Sequence, residues 1–373
     1  MAARAAERDL VTALGLMSGT SMDGIDAAVV TTDGVRIAAT GPWATYPYAT
    51  DLRARLAAVV ADPTAADPAT MRALETALTD AHADAVVTLL RESGPAADAV
   101  SVVGFHGHTV LHRPERRLTR QIADGARLAA AIGLDVVNDF RAADVAAGGQ
   151  GAPFASLYHR ALADGLERPL AVLNLGGVGN VTYLDDGEDG TAIAFDTGPA
   201  NAPIDDWIAR YTGEPCDRDG RHAAAGRVDR ALLDRLLGHR YFDRPPPKSL
   251  DRNDFTAAAV DGLSLADGAA TLTALTAGAV ARGMAHLPAP PRRWLVTGGG
   301  RHNPALMTML RDAVAAPVEP VEAVGWQGDA LEAQAFGFLT VRSIRGLPLS
   351  LPTTTGVPRP MTGGTLHRAG RAA

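Results

Sequence analysis

The sequence predicts an α/β protein built as two related domains facing each other across a cleft. Three observations carry this expectation. At 373 residues the chain is long for one hydrophobic core and comfortable for two. Two stretches, one opening near Val11 and one near Leu170, each begin as a β-meander with a turn rich in Gly, Asp and Thr. Helical patterns follow each meander, so the architecture repeats although the residues do not. Facing domains leave a cleft, where small ligands commonly bind.

The elements follow in order. The apolar run Val11–Met17 reads as a buried strand, residues 25–31 as the next, and Asp33-Gly34 turns the chain into a third around 35–40. Helices are expected over 51–60 and 68–91, where Pro68 suits a first helical turn. A strand over 99–105 ends in the polar HGHT, and a helix over 123–132 leads to a short strand at 135–137. After the Gly-rich connection 144–153 the plan restarts with strands at 170–174, 181–184 and 191–195, joined by GGVGN and by a turn at 186–190. DTGPAN then opens a helix over 202–211. Downstream, a helix over 268–286, a strand over 294–297, the loop GGGRHN, and helices over 304–314 and 329–341 precede a Pro/Gly/Thr-rich tail. Pro245, Pro246 and Pro247 must form a loop.

Composition is that of a soluble globular protein, 47% hydrophobic and 21% charged. A net charge of −7 argues against a general nucleic-acid surface, although a local cationic pocket stays open. The single cysteine, Cys216, rules out an internal disulfide and fits a reducing compartment. The start, MAARAAERDL, has acidic residues and lacks the apolar stretch of a secretory signal, and no run approaches the roughly 20 apolar residues of a membrane span. A cytoplasmic protein without membrane or nucleic-acid partners is expected.

The segment GLMSGTSMDGID, Gly15 to Asp26, is suited to polyphosphate. Gly19 and Gly24 let backbone approach an anion, and Ser18, Thr20 and Ser21 add donors. Asp23 or Asp26 would reach Mg²⁺, directly or through water. An ordinary hairpin turn is the other reading of its Asp-Gly pair. Asp196, at a strand end in AFDTGPAN, suits a general base placed in a sharp turn at a sheet edge; a helix cap or turn-stabilising aspartate is the alternative. GGGRHN, from Gly298 to Asn303, could let a flat ligand or phosphate lie on backbone, or could be a tight turn. His106, His108 and His112 lack a zinc-site pattern and would rather bond a hydroxylated substrate or nearby backbone. In NDFRAADVAAGGQGAP, Asp139, Arg141 and Asp144 could clamp hydroxyls or a carboxylate on a loop that glycines let move, or the segment is a flexible linker. Asp329 and Glu332, three apart on one helical face, read first as a solvated acidic face.

Taken together, these segments resemble the anhydro-N-acetylmuramic acid kinases of the sugar kinase, Hsp70 and actin superfamily. The likeness runs in order through GLMSGTSMDGID, GFHGHTV, DFRAADVAAGGQGAP, LNLGGVGNVT, FDTGPANAPID, PPPKS, TGGGRHN, GDALEAQAFGFL and TGVPRPMTGG, essentially the whole chain. It implies a two-domain actin-like ATPase (ribonuclease H-like) fold, with domains at 1–140 and 141–373 and a C-terminal tail able to return to the first. It also implies an ATP- and Mg²⁺-dependent kinase that hydrolytically opens 1,6-anhydro-N-acetylmuramic acid and phosphorylates O6. Asp196 occupies the family's position for the base, and Glu332 assists near the reacting centre. Ser18, Gly19, Thr20, Ser21, Met22, Asp23 and Gly24 resemble the phosphate loop, with Asp23 toward Mg²⁺. Gly177, Asn180, Gly298, Gly299, Gly300 and Asn303 complete the nucleotide side; His106, His108, Asp139, Arg141 and Gln150 line the sugar side. A homodimer with clam-like closure is implied. His108 stands where the family more often has Gln, and PPPKSLDRNDF replaces PPPKSTGRE, so an imidazole whose charge changes near neutral pH is expected beside the ligands. The alternatives are a kinase for a related anhydrosugar such as 1,6-anhydroglucose, and a non-catalytic nucleotide-switched binding protein.

Overall fold

A computed structural model describes residues 9–19, 22, 24–185 and 192–370. The chain divides into two compact units. The first holds the described residues up to Asp164, with Ala330–Leu351 and those from Val357 on; the second holds Gly165–Asp329 and Pro352–Gly356. The first unit thus continues past residue 140 through the helices Ala142–Ala146 and Ser156–Leu162.

In the first unit β1 (Val11–Met17), β2 (Gly24–Thr32) and β3 (Ile37–Pro47) form an antiparallel meander. β4 (Val100–Phe105) lies parallel to β1. β5 (His108–Arg113) and β6 (Leu118–Ile122) make a separate antiparallel ribbon, and β7 (Asp135–Asn138) runs parallel to β4. In the second unit β8 (Leu170–Leu175), β9 (Val178–Leu184) and β10 (Ala192–Pro199) are again an antiparallel meander. β11 (Arg293–Thr297) pairs parallel to β8, and β12 (Val318–Pro320) parallel to β11. β13 (Thr365–His367) closes the first sheet antiparallel to β7. The orders β3-β2-β1-β4-β7 and β10-β9-β8-β11-β12 are one pattern used twice. That is the two-domain, actin-like α/β architecture that the resemblance implied.

The strands in the middle of the first sheet are apolar on both faces, as parallel strands covered on both sides must be. On one face, the helices Thr50–Ala61 and Pro68–Ser93 supply Leu56, Leu74, Leu78 and Val86 to a core shared with Leu14, Leu16, Val103 and Phe105. Burying each such side chain is worth about 1.5–3 kcal/mol. Asp67 caps Pro68–Ser93 by accepting from the N–H groups of Ala69 and Thr70 at 2.7 and 3.0 Å. On the other face lies the helix Leu331–Ile344, backbone against backbone. A Cβ on Gly15 would stand 1.8 Å from the Ala333 carbonyl oxygen, and one on Gly104 would stand 2.6 Å from that of Phe336. In the second unit the helix Leu265–Gly283, capped by Ser264, packs its Leu272 and Leu275 with Trp207, Tyr241 and Phe242.

Several expectations shift. HGHT opens the β5–β6 ribbon because Val110 is buried there, so the chain leaves the sheet as a hairpin. β3, β9 and β10 outrun their expected lengths, and the helix expected from 329 begins at Leu331. The turn expected at 186–190 lies outside the described residues. Among the described residues no helix is long and apolar enough to cross a membrane.

Candidate active site

Each unit collects its candidate residues at the carboxyl ends of its parallel strands, where open α/β sheets bind ligands. In the first unit Ser18 follows β1, His106 follows β4 and Asp139 follows β7. In the second, Gly176 and Gly177 follow β8 and Gly298 follows β11.

Ser18 is buried, and its hydroxyl is held from two sides. The Tyr48 hydroxyl donates to Ser18 Oγ at 2.7 Å, and His108 Nδ1 lies 2.9 Å from the same atom. Beyond it, Met22 at φ 54° donates its N–H to the Gly19 carbonyl at 3.1 Å. Thr20, Ser21 and Asp23 lie outside the described residues. Gly24 is not a turn residue: it opens β2, where a Cβ would stand 2.5 Å from the Tyr46 carbonyl oxygen. Asp26 also sits in β2 and accepts from Thr45 Oγ1 at 2.6 Å.

His106 and His108 are interior groups, 3% and 1% exposed, rather than side chains open to a sugar. His106 Nδ1 donates to the Gly107 carbonyl at 2.9 Å, which leaves Nε2 to accept from Arg141 Nε at 2.9 Å, so this ring is neutral. Burial, then the Arg141 guanidinium, holds its pKa well below 6.5. Burial likewise lowers His82 and His108 to about 4. The expectation of an imidazole changing charge near neutral pH is therefore overturned. Because the folded protein resists protonation at His108, its contribution to stability is complete above 6.5 and is lost as pH falls through about 4. Replacing His108 with Gln should reduce the stability lost between pH 7 and pH 5 by about 2 kcal/mol. Urea unfolding at the two pH values measures it; an unchanged loss would contradict the buried, neutral ring.

The loop after β7 is pinned rather than free to move. Asp144, 2% exposed, accepts the Gly151 N–H at 2.7 Å instead of reaching a ligand, and Arg141 Nη1 donates to the Gly151 carbonyl at 2.5 Å. The guanidinium also lies over the Phe154 and Phe336 rings, at 5.2 and 5.8 Å. Asp139, exposed at φ 55°, has its pKa raised by partial desolvation against an opposing hydrogen bond from the Ala142 N–H. Gln150 is half-buried on the same loop. Glu332 is half-buried in the first turn of Leu331–Ile344. Asp329 does not share that helix; it pairs with Arg301 at 2.8 Å in the second unit.

Asp196 lies within β10 rather than in a turn beyond it. It pairs across to Asn180 on β9, which pairs to Asn174 on β8, which pairs to Thr297 on β11, so one row of polar residues crosses the sheet. The register of β10 shifts between Asp196 and Gly198, so the ladder breaks where the carboxylate sits. The segment 241–250 holds Asp196 instead. The Asp196 N–H donates to the Lys248 carbonyl at 3.0 Å, Tyr241 Oη donates to the Asp196 carbonyl at 2.6 Å, and the Leu250 N–H donates to Asp196 Oδ2 at 2.8 Å. Asp196 is 6% exposed, and its carboxylate accepts the Leu250 N–H, an arrangement suited to a carboxylate that takes a proton.

The glycine loop after β11 has no room for side chains at Gly298 and Gly300. At Gly298, φ 77°, a Cβ would stand 2.4 Å from Asn174 Oδ1, and at Gly300 one would stand 2.6 Å from Leu175 Cβ. Arg301 locks the loop, donating to the Gly298 carbonyl at 3.1 Å and to Glu322 at 2.9 Å. Gly299 opens a short 3-10 turn, and Asn303 spends Oδ1 capping the helix Pro304–Val314 through the Leu306 N–H. Gly177 receives the N–H groups of Ala200 and Ala202 on its carbonyl, which ties the turn after β8 to the start of the helix Asn201–Thr212.

The family model for anhydro-N-acetylmuramic acid kinase matches residues 11–369. The chain belongs to the anhydro-N-acetylmuramic acid kinase family. It is 58% identical to proteins of that name from Rhodospirillum rubrum, over 95% of this chain and 94% of the relative, and from Acidiphilium cryptum, over 97% and 99%. The protein of that name from Paramagnetospirillum magneticum is 57% identical over 95% and 99%. Within this member of the family, three supporting residues escaped the sequence reading. Lys248 and Arg301 sat inside the motifs PPPKS and TGGGRHN, which offered a signal. Tyr48 offered none, since its contact with Ser18 spans thirty positions of sequence.

Proposed function

We infer that this kinase uses ATP and water to convert 1,6-anhydro-N-acetylmuramic acid to N-acetylmuramic acid 6-phosphate and ADP, in the recycling of peptidoglycan. The observation that carries the reading is the family match over residues 11–369. Water adds to the anomeric carbon as the bond from that carbon to O6 breaks. O6 takes the γ-phosphoryl group as the bond to ADP breaks, and the proton of the water passes to the Asp196 carboxylate. Phosphoryl transfer needs mainly alignment and charge neutralisation. Ser18 accepts from Tyr48, and with His108 in the tautomer that carries its proton on Nδ1 the serine keeps its own hydroxyl proton for a phosphate oxygen. Gly298 and Gly300, where no side chain fits, are assigned to the nucleotide side, with Gly177 in the turn after β8 and Asn180 on β9. Mg²⁺ bound with ATP would supply neutralising charge; the hydroxyl and backbone donors around Ser18 suit phosphate rather than a bare cation, and Asp23, outside the described residues, is the carboxylate assigned to the ion. Asp139, Arg141 and Gln150 serve the sugar, and Glu332 the reacting centre. A cytoplasmic homodimer is part of the same proposal.

ADP release by the purified protein with Mg-ATP tests this, comparing no sugar, 1,6-anhydro-N-acetylmuramic acid and 1,6-anhydroglucose. Stimulation by the muramic sugar alone is expected; stimulation by neither would sink the reading. Arg141, mounted rigidly on His106 and Gly151, is assigned to the lactyl carboxylate, which a guanidinium fork recognises. Arg141→Ala should raise KM for the muramic sugar by on the order of tenfold. Any turnover of anhydroglucose should be affected far less, and equal losses would remove the carboxylate role.

A further inference from the structure

Lys248 is 1% exposed, and its ammonium meets neutral groups. Nζ donates to the carbonyls of Tyr241 and Phe242 at 3.2 and 3.3 Å and lies 4.8 Å from the Tyr241 ring centroid and 5.7 Å from that of Phe195. A buried cation that bonds no carboxylate among the described residues is costly, and an apolar side chain of similar length would pack there at less cost. The groups that Lys248 holds are the groups that hold Asp196. Its own carbonyl accepts the Asp196 N–H, and the Tyr241 it steadies donates to the Asp196 carbonyl. Phe195, whose ring faces the ammonium, is the neighbour of Asp196 on β10.

We propose that Lys248 is a positioning residue for Asp196: it anchors the 241–250 segment against β10 and supplies the positive charge that keeps the enclosed carboxylate ionised and ready to accept a proton. This rests on the reading of Asp196 as the base. Burial disfavours a carboxylate's charged form in general, and the Lys248 ammonium, on which the Asp196 charge acts, opposes that. Other charged and titratable groups face the same segment. Asp243 and Arg282 bond each other, Arg244 lies over the outer face of the Tyr241 ring at 5.8 Å, and His286 Nε2 meets the Phe242 carbonyl at 3.1 Å. Asp254 caps its own short turn with Asp251. Burial lowers the Lys248 pKa to about 8, so the ammonium persists at neutral pH.

The test compares wild type, Lys248→Met, Lys248→Arg and Asp196→Asn in ADP release across pH 5 to 9, with thermal unfolding of each. Lys248→Met should keep or gain thermal stability while the acid limb of kcat moves up by about one pH unit, lowering turnover at acid pH about tenfold. Lys248→Arg should leave the limb in place. An unmoved limb in Lys248→Met beside an inactive Asp196→Asn would overturn the role of Lys248 alone. Near-normal turnover of Asp196→Asn would overturn the base assignment itself. Should Lys248→Met fail to fold, Lys248→Gln carries the same reading of the limb, and a limb left in place there makes the lysine structural.

Discussion

Asp196→Asn should bind nucleotide as wild type does and lose turnover by a factor on the order of 100 or more. The amide oxygen can still accept from the Leu250 N–H, and the backbone bonds to Lys248 and Tyr241 do not involve the side chain. The geometry therefore survives, and what disappears, on the role proposed for Asp196, is the capacity to take a proton from the attacking water. Fluorescent nucleotide titration alongside ADP release separates the two. Turnover near that of wild type would mean that another group activates the water.

Gly15→Ala should abolish stable folding of the first unit or lower its stability by more than about 3 kcal/mol, although a single methyl group is added to a buried strand. The new Cβ would stand 1.8 Å from the Ala333 carbonyl oxygen and 2.4 Å from the Gly337 nitrogen. Both are backbone atoms of a helix, so no rotamer change relieves the overlap and the helix must leave the sheet. Gly299→Ala is the control, because the nearest atom there is the side-chain nitrogen of Asn201 at 3.5 Å. Urea midpoints and soluble yield compare them; equal midpoints would mean that the helix can move outward at little cost.

The repeated meander was readable because its strands are local, apolar and separated by Gly and Asp turns, and the motif order named the family before any coordinate. Reading Asp144 as a ligand clamp failed because a buried carboxylate beside glycines looks the same whether it meets substrate or the Gly151 N–H seven residues on. The histidines misled for a related reason: a lone imidazole in sequence implies a value near 6.5, whereas enclosure takes His108 to about 4. Asp196 was singled out by its motif, but its support was hidden, since the register shift of β10 and the hold of Tyr241, forty-five positions away, are tertiary facts. Asp329 and Glu332 show the limit of helical periodicity, because the helix starts between them and assigns them to different units.

The helix Leu331–Ile344 fills one face of the first sheet, yet it is encoded near the end of the chain. While the protein is being synthesised, the meander and its first helices emerge with that face bare, and they stay so until the ribosome has passed the whole second unit. Domains usually mature in the order they are made. Here the second unit, continuous from Gly165 to Asp329 but for Pro352–Gly356, is the one able to gather most of itself first. The earlier-translated half waits for its keystone, so a premature stop anywhere before residue 331 leaves both a missing tail and an unfinished front.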